Sequence, residues 1–147
     1  MSNVSLAQTH RPAARVTSAR DRIATVLMAL AAIAAFASFA GAIGRVADAG
    51  PETEIVETWR MLGFLVFAGI FALLAVRPRA LPGLWELSIL HKAGMAILAA
   101  LAASGDADTA AATALADGLL SVVLITAYVL ARGYAAWRRP PTAPSQN

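Results

Sequence analysis

The stretch IATVLMALAAIAAFASFAGAIG, residues 23–44, contains no charged side chain and decides the fold class. Its length matches the roughly 20 apolar residues that an α-helix needs to cross the hydrocarbon core of a bilayer. The whole chain of 147 residues is 59% hydrophobic and 14% charged, whereas a soluble domain carries about 25% charged residues. The apolar residues occur in blocks and not at amphipathic spacing, which indicates an integral membrane protein.

Three further blocks are long and apolar enough to span a bilayer, at about residues 56–76, 83–103 and 110–132. The connections between the blocks are short, and short connections place consecutive helices side by side in opposite directions. The sequence therefore predicts an all-α integral membrane four-helix bundle with up-down-up-down antiparallel topology, over residues 23–137. The tails, residues 1–22 and 138–147, are polar and rich in small residues and proline, so we expect both to be disordered.

The arginines are concentrated at one end of the predicted bundle. They flank the apolar blocks at Arg11, Arg15, Arg20, Arg22, Arg77, Arg79, Arg132, Arg138 and Arg139. The connections at the opposite end are mainly acidic. By the positive-inside rule the arginine-rich end faces the cytoplasm, which predicts that both termini are cytoplasmic. Aromatic residues are expected at the two membrane interfaces, with Trp59 at the outer one and Trp85, Tyr134 and Trp137 at the inner one.

An alternative for the first block is a secretory signal peptide. The residues Ala35-Phe36-Ala37 are compatible with cleavage after Ala37, which would leave three spans. The apolar run continues to Gly44, however, and is longer than the usual signal core of about 7–15 residues, so we favour a span. Eleven Arg against one Lys, with abundant alanine, is typical of GC-rich bacterial genomes. The predicted location is therefore the bacterial cytoplasmic membrane.

Ionisable residues also occur within the predicted spans. At 1.5 Å per residue, His91 and Lys92 lie close to mid-membrane, and Arg60 and Asp117 lie about 10 Å nearer the outer surface. Arg60 is therefore expected to pair either with Asp117 or with Glu57, which is three residues away on the same helix. Each such residue is a functional-site hypothesis, because a charge at the centre of a span costs about 2.5–3.5 kcal/mol.

Lys92 has no acidic residue at its own depth by this estimate. Its amine would then extend toward the interface, bind a carbonyl or a hydroxyl such as that of Ser88, lose its proton, or meet a group outside the chain. Ser88, His91, Lys92 and Met95 share one broad helical face, which we expect to point into the bundle. Together with Arg60 and Asp117, these four residues form the candidate ligand-binding site. The structural alternative is a polar contact within the bundle without a ligand.

Small residues recur along the first two spans, where they allow helices to approach closely within a chain or between chains. They are Ala34, Ala37, Gly41, Gly44, Gly63, Ala68, Gly69 and Ala72.

Several function classes are excluded or disfavoured. The chain has no cysteine, which excludes disulfides, thiol nucleophiles and cysteine-ligated metals. It contains no glycine-rich phosphate loop and no histidine–carboxylate set with metal-ligand spacing, so neither a catalytic residue nor a cofactor nor a metal is expected. The net charge of +3 comes from arginines that flank apolar segments, so nucleic acid is not an expected partner.

Two stretches, ETWRMLGFLVFAGIFALL (57–74) and LHKAGMA (90–96), carry a resemblance to a known family. In size and in this pattern, the chain resembles the DoxX-like group of small four-span bacterial membrane proteins over about residues 23–132. The resemblance implies the four-helix bundle. It implies no site and no activity, because that group is functionally diverse.

The leading functional hypothesis is a non-enzymatic interaction or accessory subunit, which contacts a membrane-protein partner or a second copy of itself through the small residues, with the lipid bilayer around it. The alternative is a binder or carrier of an amphiphilic ligand (a quinone, an isoprenoid or a lipid) at Ser88, His91 and Lys92. A third hypothesis is a lipid-modifying enzyme with His91 as the general base. In the binding hypothesis, Lys92→Leu is expected to leave the fold intact, because it removes an insertion cost.

Overall fold

The computed structural model of the protein describes residues 19–103 and 108–138, and within these ranges it contains helices and no strand. The helices are α1 (Ala19–Ala47), α2 (Glu54–Val76), α3 (Leu84–Ala103), α4 (Asp108–Ala131) and a short 3₁₀ helix, Gly133–Arg138. The four α-helices are long and apolar enough to cross a membrane, and each coincides with one predicted span. The predicted all-α four-helix membrane bundle is confirmed, and the chain is a multi-pass membrane protein. The prediction that residues 1–22 and 138–147 are disordered is wrong for residues 19–22, which form the first turn of α1, and for Arg138, which ends the 3₁₀ helix. The rest of that prediction, for residues 1–18 and 139–147, lies outside the described residues.

The helices do not all pack against their sequence neighbours. α1 packs along α2 and also against α4, and α3 packs along α4, whereas α2 and α3 make few contacts. The prediction that a short connection makes adjacent helices neighbours therefore holds for α1–α2 and α3–α4 and fails for α2–α3. An opening at the side of the bundle remains between α2 and α3.

The core is made of a few large side chains between alanines. Met28, Phe71, Trp85 and Leu124 are fully buried. Ala24, Ala31, Ala127 and Ala131 join them in one hydrophobic cluster. Since lipid is as apolar as leucine, such alanines stabilise the bundle by allowing close van der Waals packing.

Trp85, which the sequence predicted as a residue of the aromatic belt, faces the interior of the bundle and not the lipid. Its side chain is 1% exposed, and its indole Nε1 donates a hydrogen bond to the Pro78 carbonyl at 2.8 Å. Because this bond satisfies the N–H, the indole can be buried without an unpaired donor. Gly133 packs directly on the ring, since a Cβ at that position would lie 2.7 Å from a Trp85 carbon. Tyr134 and Trp137 do face outward.

The small residues of the first two spans contribute less to the bundle than expected. Ala68 is buried, but a Cβ added at Gly41, Gly44, Gly63 or Gly69 would meet nothing within 4 Å. The glycine that does lie where two helices approach each other is Gly118 of α4, where an added Cβ would lie 3.9 Å from the Cβ of Ala96.

Candidate functional site

A cleft of about 330 Å³ lies between α2 and α3, in the half of the bundle at which α2 and α4 begin. We refer to it as the α2–α3 cleft. Its walls are mostly apolar, with side chains from Val56, Trp59, Phe64, Phe67 and Met95. Its polar lining comes from Arg60, His91, Lys92, Thr113 and Asp117. Five of the six predicted site residues therefore line one cavity, and Ser88 is the exception.

Lys92 and Asp117 form an ion pair in the wall of the α2–α3 cleft. The Lys92 Nζ donates to the Asp117 Oδ1 at 2.9 Å, and the two side chains are 9% and 14% exposed. The prediction that Lys92 has no acidic partner is wrong. That estimate compared Cα depths, which differ by about 8 Å at 1.5 Å per residue. The flexible four-carbon stem of lysine spans the difference.

Phe67 of α2 reaches across to α3 at the same level. The Lys92 Nζ lies 4.4 Å from the centre of the Phe67 ring, and the His91 ring lies 4.7 Å from it, tilted. A cation over an aromatic face is stabilised by about 0.5–2 kcal/mol, and most when it is shielded from water. Phe67 therefore lies between α2 and α3 in the cleft and stabilises the Lys92 amine in the wall of the cleft.

The four predicted residues of α3 divide into two faces. Ser88 and Lys92 are buried at 2% and 7% exposure, and the Ser88 hydroxyl donates to the Leu84 carbonyl at 2.7 Å. His91 and Met95 are exposed on the helix surface and line the cleft. The prediction that all four point into the bundle is wrong for His91 and Met95. At 100° per residue the 88/92 and 91/95 pairs lie on adjacent faces, and only the first faces the packed interior.

A second charged group lies at the mouth of the α2–α3 cleft. Glu57 accepts a hydrogen bond from Arg60 at 2.8 Å, and its other oxygen lies 3.6 Å from the Arg45 Nε. Of the two pairings predicted for Arg60, the local one with Glu57 is present, and Asp117 binds Lys92 instead. One carboxylate between two guanidiniums leaves one positive charge at this mouth.

Three residues of α2 that line the cleft were not among the predicted site residues. Trp59, Gly63 and Phe67 recur every four residues, so they lie on one face of the helix, and all three line the cleft. Gly63 leaves room, since an added Cβ would meet nothing within 4 Å. The spacing was visible in the sequence, but an aromatic stripe in a span usually faces lipid or a neighbouring helix. It lines a cleft here only because α2 is separated from α3.

Within the described ranges, no group of three or more histidine, aspartate and glutamate residues could hold a metal ion. Protein-family models, curated proteins and solved structures give no match to this chain. The resemblance to the DoxX-like group stays a prediction. A proposal for the function therefore has to start from the chemistry of the α2–α3 cleft.

Proposed function

We propose that the protein binds or carries an amphiphile whose polar head group lies in the α2–α3 cleft. The observation that supports this most is the Lys92–Asp117 pair in the wall of a mostly apolar cleft at the side of the bundle. Ligand sites are mostly apolar cavities of about 300–1,000 Å³ with a few convergent polar groups. The cleft volume is at the lower end of that range, which suits a head group with its apolar tail outside among the lipids.

The polar groups indicate what the head group contains. A lysine ammonium has three N–H donors, and Asp117 accepts one from Lys92. A carbonyl or ether oxygen of a ligand would accept another. Phe67 and Trp59 offer flat faces for a ring or an unsaturated chain. A quinone, an isoprenoid or a lipid meets these requirements.

We further propose that the chain lies in a bacterial cytoplasmic membrane with both termini in the cytoplasm. The support is the distribution of charge: Arg20, Arg79 and Arg132 surround one cavity at the end where α1 begins. Glu52 and Glu54 lie at the other end, where α2 begins. The positive-inside rule places the arginine-rich end in the cytoplasm, and the α2–α3 cleft would then lie in the outer half of the membrane.

A steric block tests the proposal without touching the ion pair. Gly63→Leu places a large side chain in the cleft, where the glycine has open space. Gly69→Leu is the matched control, because Gly69 lies on the same helix in equally open space and outside the cleft lining. Each protein is extracted from its own membrane with its surrounding lipid. Native mass spectrometry then detects bound small molecules, and liquid chromatography identifies them.

The expected result is one reproducible amphiphile in the wild type and in Gly69→Leu, at least about tenfold depleted in Gly63→Leu, which corresponds to about 1.4 kcal/mol. Equal amounts in all three proteins would mean that the molecule binds elsewhere. Absence of a specific amphiphile from the wild type would overturn the proposal.

The second candidate is an interaction subunit, and the surface of α1 favours it. Ala34, Ala37, Gly41 and Gly44 recur at intervals of three and four residues, and all four are exposed. Such a stripe allows another helix to approach closely in lipid. Gly41→Leu should then release a polypeptide, whether a second copy or a partner, that co-purifies with the wild type and with Gly63→Leu. Retention of that polypeptide by Gly41→Leu would contradict the candidate.

A further inference from the structure

A second cavity, of about 520 Å³, lies at the end of the bundle opposite the α2–α3 cleft. Its charged lining comes from Arg20 and Asp21 of α1, Arg79 of the α2–α3 connection, and Arg132 just after α4. We refer to it as the arginine cavity. Three arginines that are far apart in the sequence meet here because α1 packs against both α2 and α4.

The arginine cavity has an excess of positive charge. Arg79 donates a hydrogen bond to Asp21, and three arginines against this one carboxylate leave two positive charges. Apart from Asp21 itself, residues 1–22 and 138–147 contain no aspartate and no glutamate. Glu86, the other acidic residue of this end, accepts hydrogen bonds from Tyr128 at 2.8 Å and from Trp137 at 3.0 Å. The charge of the cavity is therefore available to an anion.

The backbone at Arg132 supports a role for its side chain. Arg132 has a φ of +52°, in the left-handed region that favours glycine at the end of a helix. A non-glycine residue there carries a conformational cost. Strained residues of this kind cluster at functional sites, and here the strained residue contributes a guanidinium to the arginine cavity.

We propose that the arginine cavity binds the phosphate head group of an anionic membrane lipid. A guanidinium binds phosphate oxygens in a bidentate manner, and basic pockets between membrane helices bind anionic head groups. A lipid is favoured over a soluble anion because apolar side chains face outward within about one turn of the arginines. They are Ile23, Val76 and Leu81, at 51%, 73% and 47% exposure, and they would contact the acyl chains. This inference does not depend on the function proposed for the α2–α3 cleft.

The test uses the full chain in a neutral detergent, titrated with phosphatidylglycerol or with phosphatidylcholine and followed by native mass spectrometry. Arg20→Gln and Arg22→Gln are a matched pair, because they make the same change two residues apart on one helix, and only Arg20 lines the cavity. Arg132→Gly is the second test variant, since glycine suits the left-handed backbone and the fold is retained.

We expect phosphatidylglycerol to bind about fivefold more weakly to Arg20→Gln and to Arg132→Gly. Arg22→Gln should lose less than about twofold in affinity for this lipid, because an arginine that does not line the cavity attracts the head group only at long range. Gly63→Leu should bind this lipid as tightly as the wild type does. The test of the arginine cavity is therefore independent of the test of the α2–α3 cleft.

Three results would overturn the inference. Equal losses of affinity in Arg20→Gln and Arg22→Gln would show that the overall charge of the protein attracts the lipid and that the cavity is not a specific site. Equal binding of phosphatidylcholine and phosphatidylglycerol would show that the anionic head group is not recognised. Inorganic phosphate that binds in the absence of lipid, with the same dependence on Arg20 and Arg132, would make the natural ligand a soluble anion.

Discussion

Removal of one member of the Lys92–Asp117 pair should destabilise the bundle, and removal of both should restore its stability. The substitutions are Lys92→Met, which keeps an unbranched side chain, and Asp117→Ala, which leaves space that is continuous with the α2–α3 cleft and not a sealed cavity. This expectation reverses the one drawn from the sequence, in which Lys92→Leu only removed an insertion cost. The partner carboxylate makes the difference.

The magnitude follows from the geometry of the pair. The Nζ–Oδ1 distance is 2.9 Å, and the side chains are 9% and 14% exposed, so either group left alone would be a nearly buried charge within a span. Such a charge costs about 2.5–3.5 kcal/mol on insertion scales, close to the 3–5 kcal/mol that is typical when a buried pair is broken. The double variant buries no charge, and we expect its free energy of unfolding to be within about 1 kcal/mol of that of the wild type. The coupling energy should therefore exceed about 1.7 kcal/mol, the upper end for polar contacts between membrane helices.

Reversible unfolding in mixed micelles with increasing dodecyl sulfate measures these free energies. The signal is the emission of the buried Trp85, in a background where the outward-facing Trp59 and Trp137 are phenylalanine. All four members of the double-mutant cycle are compared in that background. If the two single variants were as stable as the wild type, or if their effects simply added in the double variant, the pair would contribute nothing and the reasoning would be refuted.

Three further predictions concern other contacts of the bundle. Gly133→Ala should displace both Tyr128 and Trp85, since the added Cβ would clash with a Tyr128 ring carbon and would lie 2.7 Å from the Trp85 ring. We expect a loss of about 1–3 kcal/mol of stability and a red-shifted Trp85 emission; an unchanged spectrum would contradict the packing. Glu86→Leu removes the acceptor of Trp137, whose Nε1 donates to the Glu86 carboxylate at 3.0 Å. The Trp137 fluorescence anisotropy should fall, and the lost hydrogen bond to a charged group should cost about 1.5–3 kcal/mol. Glu57→Gln should change stability by no more than about 1 kcal/mol, because the side chains of the two arginines beside it are 51% and 44% exposed and ion pairs at the surface contribute little. A larger loss in the same unfolding assay would show that this cluster is a structural element.

The sequence predicted the fold because a span is recognised by length and hydropathy alone. A charge-free run such as residues 23–44 has few alternatives to a membrane helix. Hydropathy does not report which helices touch, however, because an apolar surface is equally compatible with lipid and with another helix. The few contacts between α2 and α3 include those of Phe67 with His91 and Lys92. The separation of α2 from α3 was therefore not predictable from the pattern of apolar residues.

The sequence predicted most of the residues of the candidate site but not the contacts between them. An ionisable residue inside a span is conspicuous in any sequence, and this alone selected Lys92, His91 and Asp117. Their pairing depends on the length of a side chain and on the rotation of each helix, which a count of residues along the axis does not include. The same limit explains why the burial of Trp85 inside the bundle was not predicted. Its burial depends on a hydrogen bond to Pro78 and on a glycine at position 133, and both contacts are set by the tertiary structure.

The Lys92–Asp117 pair is poorly explained as a contact that holds α3 to α4, and this favours the binding function. These two helices already approach closely at Gly118 and Ala96, and the Tyr128 hydroxyl binds the α3 carboxylate Glu86 at 2.8 Å. A polar contact between membrane helices contributes about 0.6 kcal/mol on average, which is less than the cost of inserting either charged group. If the pair had only a structural role, apolar residues could therefore replace both members without a loss of stability. A double variant that is as stable as the wild type but no longer retains the amphiphile would show that the pair serves the cleft and not the fold.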